Sequence, residues 1–272
     1  MTAESLSRWL ALREGADAAA RSTVITRLVR DLVVRTGPLR VLDLGAGTGA
    51  NLRYLAPRLP VDQEWLLIDR DPRLLDEAIR RKPRLDGGFS CAVDTRCFDL
   101  CGLDTPELFS GRQLVTASAL LDLVSDSWLS ALAEQCRSIG AVSLLALTYT
   151  GRSRCSPGEP EDEQVQELMN RHQHTDKGLG GPAAGPDAVD GAARAFAAVG
   201  YLVKREPSDW LLSPDQPELQ KELIEGWARA AIEIAPDNRS TIQNWLGRRL
   251  AHLEAGRSRI VVTHEDLAAW PS

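Results

Sequence analysis

Two stretches of this chain combine residue types that do chemistry. In "RVLDLGAGTGANLRYL", Arg40 to Leu55, Gly45, Gly47 and Gly49 crowd a turn directly after an apolar run that carries Asp43. Without a Cβ these glycines can adopt positive φ and let a ligand approach the peptide plane. "GAGTGA" also passes as the G-x-G-x-x-A turn of dinucleotide-binding proteins. Asp43 speaks against a pyrophosphate, because a carboxylate two residues before the first glycine repels phosphate and suits a cationic ligand. Asp69 ends the next apolar run, "EWLLID", where it can accept hydrogen bonds from ribose hydroxyls. Asp71 and Pro72 already supply the N-cap and first turn of the following helix, which leaves Asp69 spare. Asp99, in "CFDL", is placed to accept from an exocyclic amine, although an acid after a strand also begins turns.

The second stretch is "NRHQHTDKGLGGP", with His172, His174, Asp176 and Lys177 ahead of a run of glycines. Imidazole titrates near neutral pH, so His172 or His174 is a candidate base or substrate anchor, and a solvated surface loop is the competing account. A metal site from His172, His174 and Asp176 is the weaker alternative, as no other ligand cluster supports it. In the N-terminal arm Trp9, Arg13, Asp17 and Arg21 recur by fours on one helical face. They form a ladder of ion pairs beside a packed tryptophan, or else Arg13 or Arg21 reaches a ligand carboxylate.

The elements that must position these residues follow from periodicity. Residues 4–36 have helical spacing that ends at "RTGP". Strands are expected at "LRVLDL", "EWLLID", "GFSCAVDTRCFDL", "QLVTASALL" and "GAVSLLALTYT", with helices between them. This alternation implies a parallel sheet with right-handed crossovers. After Thr150, "GRSRCSPGEPEDEQ" and "HTDKGLGGPAAGPD" read as loops around the helix "EQVQELMNRHQ". A helix at "DAVDGAARAFAAVG" and a strand at "YLVKREPSDWLL" follow, then a helical stretch 215–256 and a last strand, "SRIVVTHEDL". Trp210, Trp227 and Trp245 are expected to pack helices, with a substrate-facing wall as by-product.

"VLDLGAGTG", "LLIDRDP" and "CFDL", in this order and spacing, resemble the successive cofactor motifs of class I S-adenosylmethionine-dependent methyltransferases over residues 38–150. The resemblance implies an α/β fold: a Rossmann-like seven-stranded, mostly parallel sheet with an antiparallel last strand and helices on both faces. To these it adds an N-terminal helical arm and a helical insertion before the last strand. It implies that Asp43, Gly45, Ala46, Gly47 and Gly49 cradle the amino-acid part of S-adenosylmethionine. Asp69 would then bind the ribose, and Asp99 and Leu100 the adenine, with Arg70 lying over the adenine or simply exposed. Ser118 and Ala119 would line the cofactor near the methyl group, and Arg13 would reach its carboxylate. Asp122 is a further substrate-contact candidate, explained equally by helix-start electrostatics. The implied activity is in-line methyl transfer to O, N or S of a small-molecule acceptor, with the loop 170–182 over the acceptor site and S-adenosylhomocysteine as product. Protein methylation and a non-catalytic cofactor-binding role are the alternatives, with an NAD-dependent oxidoreductase behind them.

The 272 residues suffice for a single methyltransferase domain, 1–272. Its expected parts are an arm at 1–36, a core at 37–150, a loop region at 151–190 and a C-terminal part at 191–272. A net charge of −6 and the lack of an appended module argue against nucleic acid as a partner. No apolar run is long enough for a membrane span, and the charged N-terminal stretch lacks a secretory core. Five cysteines without paired spacing read as reduced thiols of a cytoplasmic protein, with no metal site. The oligomeric state, monomer or homodimer, is left open.

Overall fold

The structure, a computed structural model, describes residues 3–33 and 37–272. The arm forms two helices, α1 (Ala3–Ala20) and α2 (Thr23–Val33), where one continuous helix was expected. The break falls at Arg21–Ser22, whose side chain and backbone turn inward to a buried carboxylate, Asp266. Half of the expected stop at "RTGP", Arg35 and Thr36, lies outside the described residues, and Gly37 follows with φ 97°.

The core alternates as read: β1 (Leu39–Leu44), α3 (Ala50–Leu55), β2 (Gln63–Asp69), α4 (Pro72–Arg80), β3 (Cys91–Cys97), α5 (Pro106–Phe109), β4 (Leu114–Ser118), α6 (Asp126–Ile139) and β5 (Val142–Ser156). The apolar runs become strands because helices cover both faces, so every side chain of β1 except Arg40 is buried. Ser125 caps α6 by accepting from Trp128 N–H, and Gly140 ends it in the left-handed conformation. Beyond β5 come α7 (Asp162–Gln173), α8 (Ala188–Ala198), β6 (Tyr201–Pro207), β7 (Trp210–Leu212), α9 (Pro217–Ile234), α10 (Arg239–Glu254) and β8 (Arg259–Pro271).

The main sheet runs β3-β2-β1-β4-β5-β8-β6. The neighbours from β3 to β5 pair parallel, whereas β8 is antiparallel to both β5 and β6. This is the Rossmann-like arrangement expected, with one addition: β7 also pairs with β8 and makes an eighth strand. Two readings are corrected. "GRSRCS" is not a loop, because β8 is long enough to pair with Ser153–Ser156 and extends β5 beyond Thr150. "YLVKREPSDWLL" is not one strand: at Ser208 and Asp209 the chain bonds to both backbone groups of His264, so β6 ends and β7 restarts further along β8.

The insertion α9–α10 packs with α7 around Trp210, Trp227, Trp245, Ile224 and Ile242, a cluster separate from the two beneath the sheet faces. Trp245 donates to Asp162 at 2.8 Å and Trp210 donates to Asp17 at 3.0 Å, so both indoles have partners within the packing.

Candidate functional site

At the C-terminal ends of β1, β2 and β4, a cavity of about 430 Å³ opens under α1, where parallel α/β sheets place their ligands. Gly45, Gly47 and Gly49 have φ of 66°, 53° and 81°, so the turn after β1 is left-handed three times. Gly45, Ala46 and Gly47 line the cavity. Gly49 does not; a Cβ there would stand 2.9 Å from Ala78 Cβ, so this glycine lets α3 meet α4.

Asp43 is 1% exposed, and its Oδ2 has no partner. Asn51 Nδ2 donates to Oδ1 at 2.8 Å. Burial raises the Asp43 carboxyl to about 7, against the Asn51 hydrogen bond and the Arg21 guanidinium, while the charge on Asp69 adds to the rise. A buried carboxylate with an open oxygen at a cavity wall demands a cationic or hydrogen-donating ligand.

Asp69 is not spare. Its Oδ2 accepts from Gly47 N–H at 2.8 Å and its Oδ1 from Asp71 N–H at 3.0 Å, tying the glycine turn to the start of α4. It still lines the cavity, and each oxygen keeps a lone pair for a ligand hydroxyl. Asp71 caps α4 as expected, accepting from Arg73 N–H. Asp99 accepts from Cys101 N–H at 3.0 Å, the turn-forming bond, and also faces the cavity with Leu100 and the exposed Arg70. Ser118 and Ala119 close the floor at the end of β4.

The arm forms the roof. Arg13 reaches the cavity while paired to Asp17 at 2.9 Å, and its guanidinium stacks 4.9 Å from the centre of Trp210. The ion-pair ladder thus holds for Arg13 and Asp17. Arg21 departs from it, lying beyond α1 with Nη1 donating to Asn51 Oδ1 at 2.8 Å. Glu14 clamps α1 down by ion pairs to Arg53 at 2.6 Å and Arg81 at 2.7 Å.

His172 and His174 are outside the cavity lining. His172 sits in the last turn of α7, where Nε2 meets Glu233 at 3.0 Å. His174 follows that helix, exposed, with Nδ1 3.3 Å from Ala183 O. The glycine loop does cover the site, through other residues: Lys177 and Leu179 line the cavity. Ser125 N–H donates to Leu179 O at 3.2 Å, which holds the loop down. No group of three His, Cys, Asp or Glu side chains among the described residues is arranged to hold a metal ion. No helix among them is long and apolar enough to cross a membrane.

Sequence reasoning missed Asn51, Leu6, Leu10 and the buried Asp266. Leu10 packs over Gly47, its Cδ1 3.2 Å from where a Cβ would stand. Asp266 offered a signal, an acid inside the apolar run of β8; it accepts from Arg21, Ser22 N–H and Leu147 N–H.

No family model and no curated protein matches the chain. Among solved structures it is similar to an S-adenosylmethionine-dependent methyltransferase from Geobacter sulfurreducens complexed with S-adenosyl-L-homocysteine. That match has 15% identity, covers 97% of this chain and 98% of that one, and has a TM-score of 0.47. A cyclopropane synthase from Mycobacterium tuberculosis matches at 11% identity, covering 90% and 82%, with a TM-score of 0.46. At such values the likenesses carry no functional argument, and the fold stands on its own strand order.

Proposed function

We propose that the chain, acting as one unit over 1–272, is an S-adenosylmethionine-dependent methyltransferase of a small-molecule acceptor. The observation that carries this reading is the open, buried Oδ2 of Asp43 in a cavity that also presents Asp69 and the left-handed glycine turn. An ammonium answers the first, ribose hydroxyls the second, and the amino-acid backbone of the ligand fits against the third. Asp99 and Leu100 would meet the adenine, with Arg70 at the rim. Ser118 and Ala119 would flank the reacting end, and the Arg13 guanidinium would face the ligand carboxylate. A pyrophosphate would instead stand against Asp43, which disfavours a nicotinamide dinucleotide.

When bound, the sulfonium supplies the methyl group. What this chain's residues contribute is orientation and exclusion of water: α1 and Leu179 cover the cavity while the end of β4 fixes its floor. Positioning of this kind can account for several kcal/mol of an in-line displacement. Release of S-adenosylhomocysteine from S-adenosylmethionine in the presence of a panel of small alcohols, phenols, amines and thiols tests the reading. Acceptor-dependent release supports it; turnover of protein or RNA substrates alone would contradict the small-molecule assignment.

A further inference from the structure

A second cavity, of about 390 Å³, lies between α2 and the turn that follows α3. It shares no lining residue with the first. Its size falls in the range of about 300–1,000 Å³ found for small-molecule sites. Three arginines line it: Arg27 and Arg30 from α2, and Arg58 from the 3-10 turn Ala56–Arg58. No carboxylate is among the described residues of its lining, although the chain carries a net charge of −6. The hydroxyl-bearing side chains of Thr23, Thr26 and Tyr54 share the wall with the arginines.

Thr23, Thr26, Arg27 and Arg30 follow the i, i+3, i+4, i+7 spacing of one helical face, while Ile25, Val29 and Val33 of the same helix are buried. Thr23 is the first residue of α2, so the positive end of that helix dipole lies at the same wall. Thr26 and Tyr54 are buried, with Thr26 Oγ1 donating to Ser22 O at 2.8 Å and standing 3.3 Å from Tyr54 Oη. Arg58 is fixed against Tyr54: its Nη1 donates to Tyr54 O, and its guanidinium lies 3.9 Å from the centre of the ring. Among the described residues, Arg58 Nε and Nη2 have no partner, and Arg27 has none at all. Arg30 pairs with its neighbour Asp31 at 2.7 Å, both side chains exposed. Such an exposed pair contributes little and yields to a better partner.

Three guanidinium charges, less the Asp31 carboxylate, leave a surplus of two positive charges at this cavity. A carboxylate ligand brings a single negative charge. A phosphate monoester brings about 1.5 to 2, with three strong acceptor oxygens for the unpaired guanidinium donors. We propose that this cavity binds a phosphate monoester of a small organic molecule, at a site separate from the cavity under α1. The Arg27 fork and the free nitrogens of Arg58 take the phosphate oxygens from two walls. Because Arg58 is already held by Tyr54, little side-chain freedom is lost when the phosphate enters. The cavity is larger than a bare phosphate, and Pro57 and Pro60 in its lining give the organic body an apolar surface.

The test is calorimetric titration of the full-length protein with phenyl phosphate, phenyl sulfate and benzoate, beside sedimentation with phosphatidic acid vesicles. Phenyl phosphate should bind at least tenfold more tightly than phenyl sulfate or benzoate, which carry one charge each. Arg27→Gln, in one wall, and Arg58→Gln, in the other, should each weaken it at least tenfold. Arg84→Gln, the same loss of charge at an exposed position outside the cavity, should change it less than twofold. Arg27 has no partner to lose, so its variant remains decisive if Arg58→Gln fails to fold. No binding of phenyl phosphate, or equal binding of the three anions, overturns the proposal. Unchanged affinity in a folded Arg27→Gln or Arg58→Gln overturns it too, since the phosphate would then sit elsewhere. An equal loss in Arg84→Gln would reduce the effect to net charge. Sedimentation with the vesicles without binding of phenyl phosphate would make this face a membrane contact, and both results contradict the proposed site.

Discussion

Asn51 Nδ2 donates to Asp43 Oδ1 at 2.8 Å, and the same side-chain amide accepts from Arg21 at 2.8 Å through its oxygen. One amide thereby joins the glycine turn to Arg21, and through Arg21 to Asp266 on β8. Asn51→Leu should cost about 3 kcal/mol in urea denaturation, because it leaves a buried carboxylate and a guanidinium short of partners. A loss below about 1 kcal/mol would show that water or side-chain movement replaces the amide.

Asp43 couples ligand affinity to pH. With its carboxyl raised to about 7, it is largely protonated in the free protein at pH 6. An ammonium ligand binds the ionised form, so binding releases a proton below that pH. S-adenosylhomocysteine affinity should rise by up to about tenfold per pH unit towards 7 and level off above it. Calorimetry at pH 6 in buffers of different ionisation enthalpy reads the proton directly, and Asp43→Asn should abolish its release.

The raised carboxyl also affects the free protein. A folded pKa above the unfolded 3.8 means the folded state binds the extra proton, so this group's contribution to stability falls as pH rises from about 4 to 7. His264 works in the opposite direction. Burial, reinforced by Arg13, lowers its pKa to about 3 from 6.5, so the unfolded state takes the proton first. Stability should fall by up to about 1.4 kcal/mol per pH unit as pH drops from 6.5 towards 3. His264→Gln should flatten this acid limb in thermal melts, whereas Asp43→Asn should steepen it.

The two glycines on either side of Thr48 should separate packing from binding. Gly49→Ala places a Cβ 2.9 Å from Ala78 Cβ and 3.3 Å from its Cα, at φ 81°. It should cost about 3 kcal/mol of stability, the sum of overpacking and left-handed strain. Gly47→Ala meets only the flexible tip of Leu10 at 3.2 Å, so it should cost about 1 kcal/mol. Its larger effect should be on ligand affinity, since Gly47 lines the cavity. Equal stability losses would contradict this division.

The sheet core was legible because its strands are short, apolar and separated by glycine or by a capped helix start. Asp71 before Pro72 and Ser125 before α6 are such starts, and both cap as the local sequence implies. The cavity floor was legible for the same reason: Gly45, Gly47, Asp69 and Asp99 sit at strand ends, in fixed register with the turn. What failed depended on distant partners. "GRSRCS" is polar and glycine-started, and only antiparallel pairing with β8 makes it a strand. The histidines looked chemical by composition, yet α7 carries His172 past the cavity to Glu233 while Lys177 and Leu179 turn inward. Asn51 had no local signature, because its role exists only once the fold brings it to Asp43 and to Arg21, thirty residues earlier in the chain.

Calorimetric titration of the purified protein with S-adenosylhomocysteine, with NAD run beside it, tests the central claim most directly. Micromolar binding of S-adenosylhomocysteine alone, weakened at least tenfold in Asp69→Ala, is the predicted result. Binding of NAD instead, or of neither, would contradict it.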